Sequence, residues 1–111
     1  MTSAAATAFK FDFEVNEMAD SAQAATDFLK SIAHEGRLMI LCRLAEGECS
    51  VTELETLLSA RQAAVSQQLA RLRIEGLVSA RREGKAVFYS LADDRVKTII
   101  PVLYEMFCKT D

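Results

Sequence analysis

Proline and glycine are scarce in this sequence, one and four among 111 residues, which argues against a loop-rich or low-complexity chain and leaves helix as the main element. No apolar run reaches the roughly 18 residues of a membrane span, and no basic stretch followed by an apolar one opens the chain, so a cytoplasmic location is expected. Cysteine occurs three times, an odd number without a secretory signal, which speaks against a disulfide framework and for reduced thiols whose pairing would be regulated. Histidine occurs once. With no glycine-rich phosphate loop, no nucleophile elbow and no base other than His34, no enzymatic reaction can be assigned and no cofactor is expected.

What is present is a helix-forming composition, half of it apolar, in a chain long enough for one domain and too short for two. The net charge of −3 at first disfavours a nucleic-acid partner, because cations neutralising phosphates supply most non-specific affinity. Its distribution points the other way. Between Arg61 and Lys85 lie six cations (Arg61, Arg71, Arg73, Arg81, Arg82, Lys85) and two anions (Glu75, Glu83). A basic cluster alone is usually a solvated face, so the pattern around it has to decide.

Residues 1–15 show no helical period and are expected to form a flexible arm; 16–111 are expected to fold as one unit. With Asn16 as N-cap, the spacing of Met18, Ala22, Ala25, Phe28, Leu29 and Ile32 predicts a first helix. Glu35 to Glu46 reads as a second, with Leu38, Leu41, Cys42 and Ala45 on one face and Gly47 stopping it. Ser50 and Glu53 form a capping box that opens a short third helix ending near Ser59. A fourth helix follows and ends at Gly76. Val65, Leu69 and Leu72 give it a narrow buried stripe, and Gln62, Ser66, Gln67 and Arg71 project from its other faces, as in a helix laid in a DNA groove.

Residues 77–91 read as two strands joined by a turn at Arg82–Lys85, a hairpin with a basic tip. A hairpin after a helix-turn-helix is a wing, and Arg81, Arg82 and Lys85 would there meet phosphates or the minor groove. Asp93 caps a last helix that Pro101 should kink. Its apolar positions, from Val96 to Phe107, exceed what one small core needs, which points to a dimer interface. The expected fold is thus mainly helical with a small β-hairpin, a winged helix-turn-helix.

Leu29-Lys-Ser-Ile-Ala-His-Glu-Gly-Arg-Leu-Met-Ile-Leu41, Ala64-Val-Ser-Gln-Gln-Leu69 and Leu72-Arg-Ile-Glu-Gly-Leu-Val78 resemble the ArsR (SmtB/ArsR) family of winged-helix repressors. The similarity spans roughly residues 22–108. It implies a homodimer paired through the first and last helices that binds an inverted-repeat operator in double-stranded DNA and leaves it when an inducer binds. It also implies a recognition helix presenting Gln62, Ser66, Gln67 and Gln68, with Arg71 on phosphate.

The family's metal sensors do not fit. Ser50 and Thr52 stand where their cysteine motif opens the third helix, with Cys49 displaced by one residue. At the zinc positions of the last helix, Asp93 is kept while Arg95, Met106 and Lys109 replace the other ligands, so no metal site is expected. His34 then reads as a capping or packing residue. Cys42 and Cys108, with the motif His34-Glu-Gly-Arg-Leu-Met-Ile-Leu-Cys42, resemble the persulfide-sensing branch, in which two thiols on these helices become bridged by reactive sulfur. Such chemistry needs a thiolate and a second thiol to resolve the mixed species. Cys49 is expected to be dispensable. Two other readings stay open: a thiol-based sensor of metalloids or soft metals, and a winged-helix module that binds protein.

Overall fold

The structure is a computed structural model that describes residue 10 and residues 14–58 and 62–108. The expected arm lies mostly outside the described residues. Its last residue, Val15, already belongs to the first helix, α1 (Val15–Ile32). Asn16 is therefore not the N-cap. Glu14 takes that place with no side-chain cap bond, because the Met18 N–H reaches the Glu14 carbonyl at 2.9 Å and Glu17 complements the positive end of the helix.

His34 caps α2 (Glu35–Leu44): its Nδ1 accepts the N–H groups of Gly36 at 3.1 Å and Arg37 at 3.4 Å, satisfying donors that a helix start leaves open. The helix stops two residues before the expected Glu46, turning through Ala45 and Glu46 into Gly47, whose φ of 139° favours glycine. A short strand, β1 (Cys49–Ser50), follows and was not anticipated. The capping box forms as expected. The Glu53 N–H donates to Ser50 Oγ at 3.1 Å and the Ser50 N–H to Glu53 Oε1 at 2.9 Å, opening α3 (Val51–Leu58).

Helix α4 (Gln62–Ile74) ends in a Schellman turn. The Leu77 N–H reaches the Leu72 carbonyl at 2.9 Å, the Gly76 N–H reaches that of Arg73 at 3.0 Å, and Gly76 adopts φ 78°. The wing is β2 (Val78–Glu83) and β3 (Ala86–Leu91), antiparallel, turning at Gly84 and Lys85. β1 adds to the free side of β3, giving the order β1-β3-β2. Asp93 caps α5 (Asp94–Phe107), and the helix runs on through Pro101, which has no N–H to give the Lys97 carbonyl.

The core is assembled from nearly every element. Ile32, Ile40, Leu41, Leu54, Leu69, Leu72, Leu77, Val96 and Ile100 are buried in it together with Cys49. The α4 stripe of Val65, Leu69 and Leu72 is buried as its spacing predicts, which seats the helix on α2, α3 and the wing. By contrast α1 buries only Ile32 and leaves Val15, Met18 and Leu29 exposed, while the end of α5 exposes Val102, Tyr104, Met106 and Phe107. The radius of gyration is 17.1 Å, against roughly 13 Å for a compact chain of this length. Two amphipathic helices thus present apolar faces that no other described residue covers.

Candidate nucleic-acid interface and thiol pair

With Val65, Leu69 and Leu72 turned inward, α4 presents Ser66, Gln67, Arg71 and Arg73 outward. Gln62 opens the helix. Ser66 and the wing-tip Lys85 line one concavity of about 640 Å³ together with Ser50, at the end of β1, and Thr52 in the first turn of α3. Helix and wing therefore border a common face. Arg71 pairs with Glu75 one turn on, at 3.0 Å, a contact of little energetic weight at the surface. Arg73, Arg82 and Lys85 have no carboxylate partner among the described residues and stand exposed.

Two expected contacts are placed differently. Arg81 does not sit at the wing tip: it lies inside β2, opposite Phe88, and its guanidinium stands 4.7 Å from that ring. Glu48 receives it in a two-pronged pair, Nε to Oε2 at 2.7 Å and Nη2 to Oε1 at 2.8 Å, and Glu83 accepts Nη1 at 2.6 Å. The Arg81 bonds hold the Glu48 carboxyl below its ordinary value. Gln68 does not project with Gln67. It is half-buried, and its Oε1 accepts the Arg37 Nε–H at 3.0 Å. Glu48 and Arg37 escape a sequence reading because their partners lie 33 and 31 positions away.

Cys42 on α2 and Cys108 at the end of α5 line the same cleft, of about 750 Å³, walled by Met39, Leu57, Ile100 and Tyr104 and edged by Arg43 and Glu46. Cys42 is half-buried, Cys108 exposed, and both are free thiols. Burial pushes the Cys42 thiol above its ordinary value, and the neighbouring Cys108 adds to this by charge repulsion. Cys49 is fully buried on β1, where desolvation is the main cause of a thiol also pushed up. Exposure and thiolate content then order reactivity. With a neutral alkylating agent, Cys108 should label first, Cys42 more slowly and Cys49 only in denaturant. Because the Cys42 value is raised, its labelling rate should still be climbing at pH 9. A plateau below pH 8, read by mass spectrometry of quenched samples, would contradict this.

Helix-turn-helix, wing and dominant helices define a winged-helix regulator of the DNA-binding kind, and the comparisons narrow the class. The profile described as "Bacterial regulatory protein, arsR family" matches residues 34–80. The chain is 52% identical over 80 residues to the biofilm growth-associated repressor of Agrobacterium fabrum, covering 72% of this chain and 68% of that one. It is 42% identical over 97 residues to the transcriptional activator HlyU of Vibrio cholerae, covering 87% and 90%. A solved structure described as reduced HlyU from that organism superposes with a TM-score of 0.82 at 43% identity, covering 86% of this chain and all of that one. The protein belongs to the ArsR family of transcriptional regulators. Its relatives are DNA-binding regulators and not enzymes, and among the described residues no helix is long and apolar enough to cross a membrane.

Proposed function

We propose that the protein is a cytoplasmic, homodimeric repressor that holds an inverted-repeat operator when reduced and releases it when Cys42 and Cys108 are joined by reactive sulfur. The observation that carries this is that the two thiols, from two different helices, line one cleft. The description of a solved relative as reduced HlyU supports attention to thiol state. The uncovered faces of α1 and α5 support pairing through those helices, which would carry two copies of α4 to half-sites about one turn of DNA, or a multiple, apart. Ser66 and Gln67, with Gln62 at the helix start, would reach base edges. Arg71, Arg82 and Lys85 would meet phosphates.

The chemistry needs only persulfide as co-reactant. The exposed Cys108 thiolate attacks the outer sulfur of RSSH, taking it as Cys108–S–SH and releasing RSH; Cys42 is persulfidated likewise by a second RSSH. The terminal sulfur of the Cys42 persulfide then attacks the inner sulfur at Cys108 and expels HS⁻, leaving a trisulfide. Two thiols and two persulfides give one trisulfide, two RSH and one H₂S. An inserted sulfur atom lets a bridge span a wider separation than a direct disulfide allows. The raised Cys42 value makes it the slower partner at neutral pH.

Operator affinity measured at fixed salt before and after treatment with an organic persulfide tests the proposal. Wild type should weaken by at least tenfold, a coupling of the usual allosteric size. Cys42→Ser and Cys108→Ser should each keep the operator. Release from either serine variant would refute the two-thiol mechanism, and release on arsenite or cadmium alone would indicate a soft-metal sensor instead.

A further inference from the structure

Among the described polar contacts, one side chain joins three helices. Arg37 stands in the first turn of α2 and is half-buried. Its Nη1 donates to the Ser31 carbonyl at 2.9 Å. That carbonyl lies in the last turn of α1, where helix geometry leaves acceptors without an intrahelical donor. Its Nε donates to Gln68 Oε1 on α4 at 3.0 Å. A guanidinium has only donors, so the Gln68 amide must turn its oxygen toward α2, and its orientation is fixed. Ser66 and Gln67, two and one positions before it, are exposed; Gln68 is drawn inward.

The same helix carries Cys42, five residues beyond Arg37 and about 7.5 Å along the helical rise. An N–H···O bond is lost when the atoms separate past about 3.5 Å. A displacement of α2 against α4 of about 1 Å is therefore enough to break the Arg37–Gln68 contact, while the apolar packing around it can yield by sliding.

We propose that Arg37 is a positioning residue that locks α4 to α2, so that Gln68 senses the state of the thiol-bearing helix instead of reading a base. This rests on the thiol-switch reading given above. In the reduced protein the bond holds α4 at the pitch the operator requires. Bridging Cys42 to Cys108 draws α2 toward α5, the bond opens, and α4 loses its setting.

The prediction separates this role from a merely structural one. If the bond exists only in the reduced state, removing it lowers only the affinity of the reduced state. Gln68→Leu and Arg37→Met should each weaken operator binding by reduced protein about three- to tenfold, the worth of one hydrogen bond. Both should leave the affinity after persulfide treatment unchanged, so the release factor shrinks by that same ratio. The double variant should be no worse than either single one. Gln68→Glu keeps an acceptor for Arg37 and should keep the full release factor, even where its added charge lowers affinity in both states alike. Should Arg37→Met fold poorly, the Arg37 Nε–H resonance of wild type gives a second measurement, protected from exchange when reduced and exposed after treatment.

If wild type releases DNA on persulfide while Gln68→Leu weakens both states equally, Gln68 is an ordinary DNA or packing contact and the lock is refuted alone. If wild type does not release at all, the thiol switch falls and the lock falls with it.

Discussion

Leu69→Ala is expected to destabilise the protein by about 2–5 kcal/mol, the range for deleting a buried leucine side chain where the surroundings collapse only in part. Leu69 is fully buried at the centre of the α4 stripe, flanked by Val65 and Leu72, which are buried too. It is the side chain that seats the recognition helix on the core formed with α2 and α3. A domain of this size has about 5–15 kcal/mol in total, so on the order of a third of its stability would go. Operator binding would fall although Leu69 touches no DNA, because α4 would fray from its seat. Urea unfolding should show a lower midpoint at unchanged slope. Gln67→Ala, at an exposed position of the same helix, should stay within about 0.5 kcal/mol of wild type. A loss below about 1 kcal/mol for Leu69→Ala would mean that α4 is seated by something other than this stripe.

Long apolar periods made the helices and their order legible, and local chemistry made several boundaries legible: the Ser50–Glu53 box, the Gly76 stop and the Asp93 cap all form where the sequence places them. The signal failed where it was shortest or where two answers were nearly equal in energy. Two residues are too few for an alternating pattern, so β1 escaped notice; its pairing of Cys49 with Tyr89 depends on a strand forty positions downstream. At the start of α1, the preference of asparagine for a cap was outweighed by one more backbone bond, from Met18 to Glu14. The seven positions separating Cys42 from Cys49 do not reveal whether one helix carries both. The chain leaves α2 at Leu44 and buries Cys49 on a strand.

The candidate site divides in the same way. That Cys42 and Cys108 share a cleft follows from two helix faces, each legible by its period, and from a family resemblance that said which faces meet. Gln67 and Gln68 are identical in composition and adjacent in sequence, yet only one points outward. What distinguishes them is Arg37, and a partner brought in by tertiary packing leaves no trace in local spacing. Arg81 shows the same limit for charge: counted as one of six cations in a basic segment, it is in fact neutralised by Glu48 and Glu83. A count of charges along a segment measures supply, and geometry decides how much of it is left for a ligand.

That distinction gives the other large expected effect. Replacing Arg82 and Lys85 together by alanine removes two exposed cations with no described carboxylate partner from each wing, hence up to four from a dimer. If each meets a phosphate, the slope of log affinity against log salt should become shallower by about 3–4, since each neutralised phosphate contributes about 0.9. At physiological salt this corresponds to a loss of roughly 10²–10³ in operator affinity. The loss should apply to random DNA as well, because phosphate contacts carry no sequence information. Arg81→Ala should behave otherwise. Its guanidinium already has two carboxylate partners, so the slope should change by less than about 1, and any loss of affinity should come from two carboxylates left uncompensated beside the wing. Filter binding or fluorescence anisotropy across a salt series decides between these outcomes. An Arg81 variant that flattens the slope as much as the Arg82 and Lys85 pair would mean that Arg81 leaves Glu48 for DNA on binding, and that the wing changes its internal ion pairs when it docks.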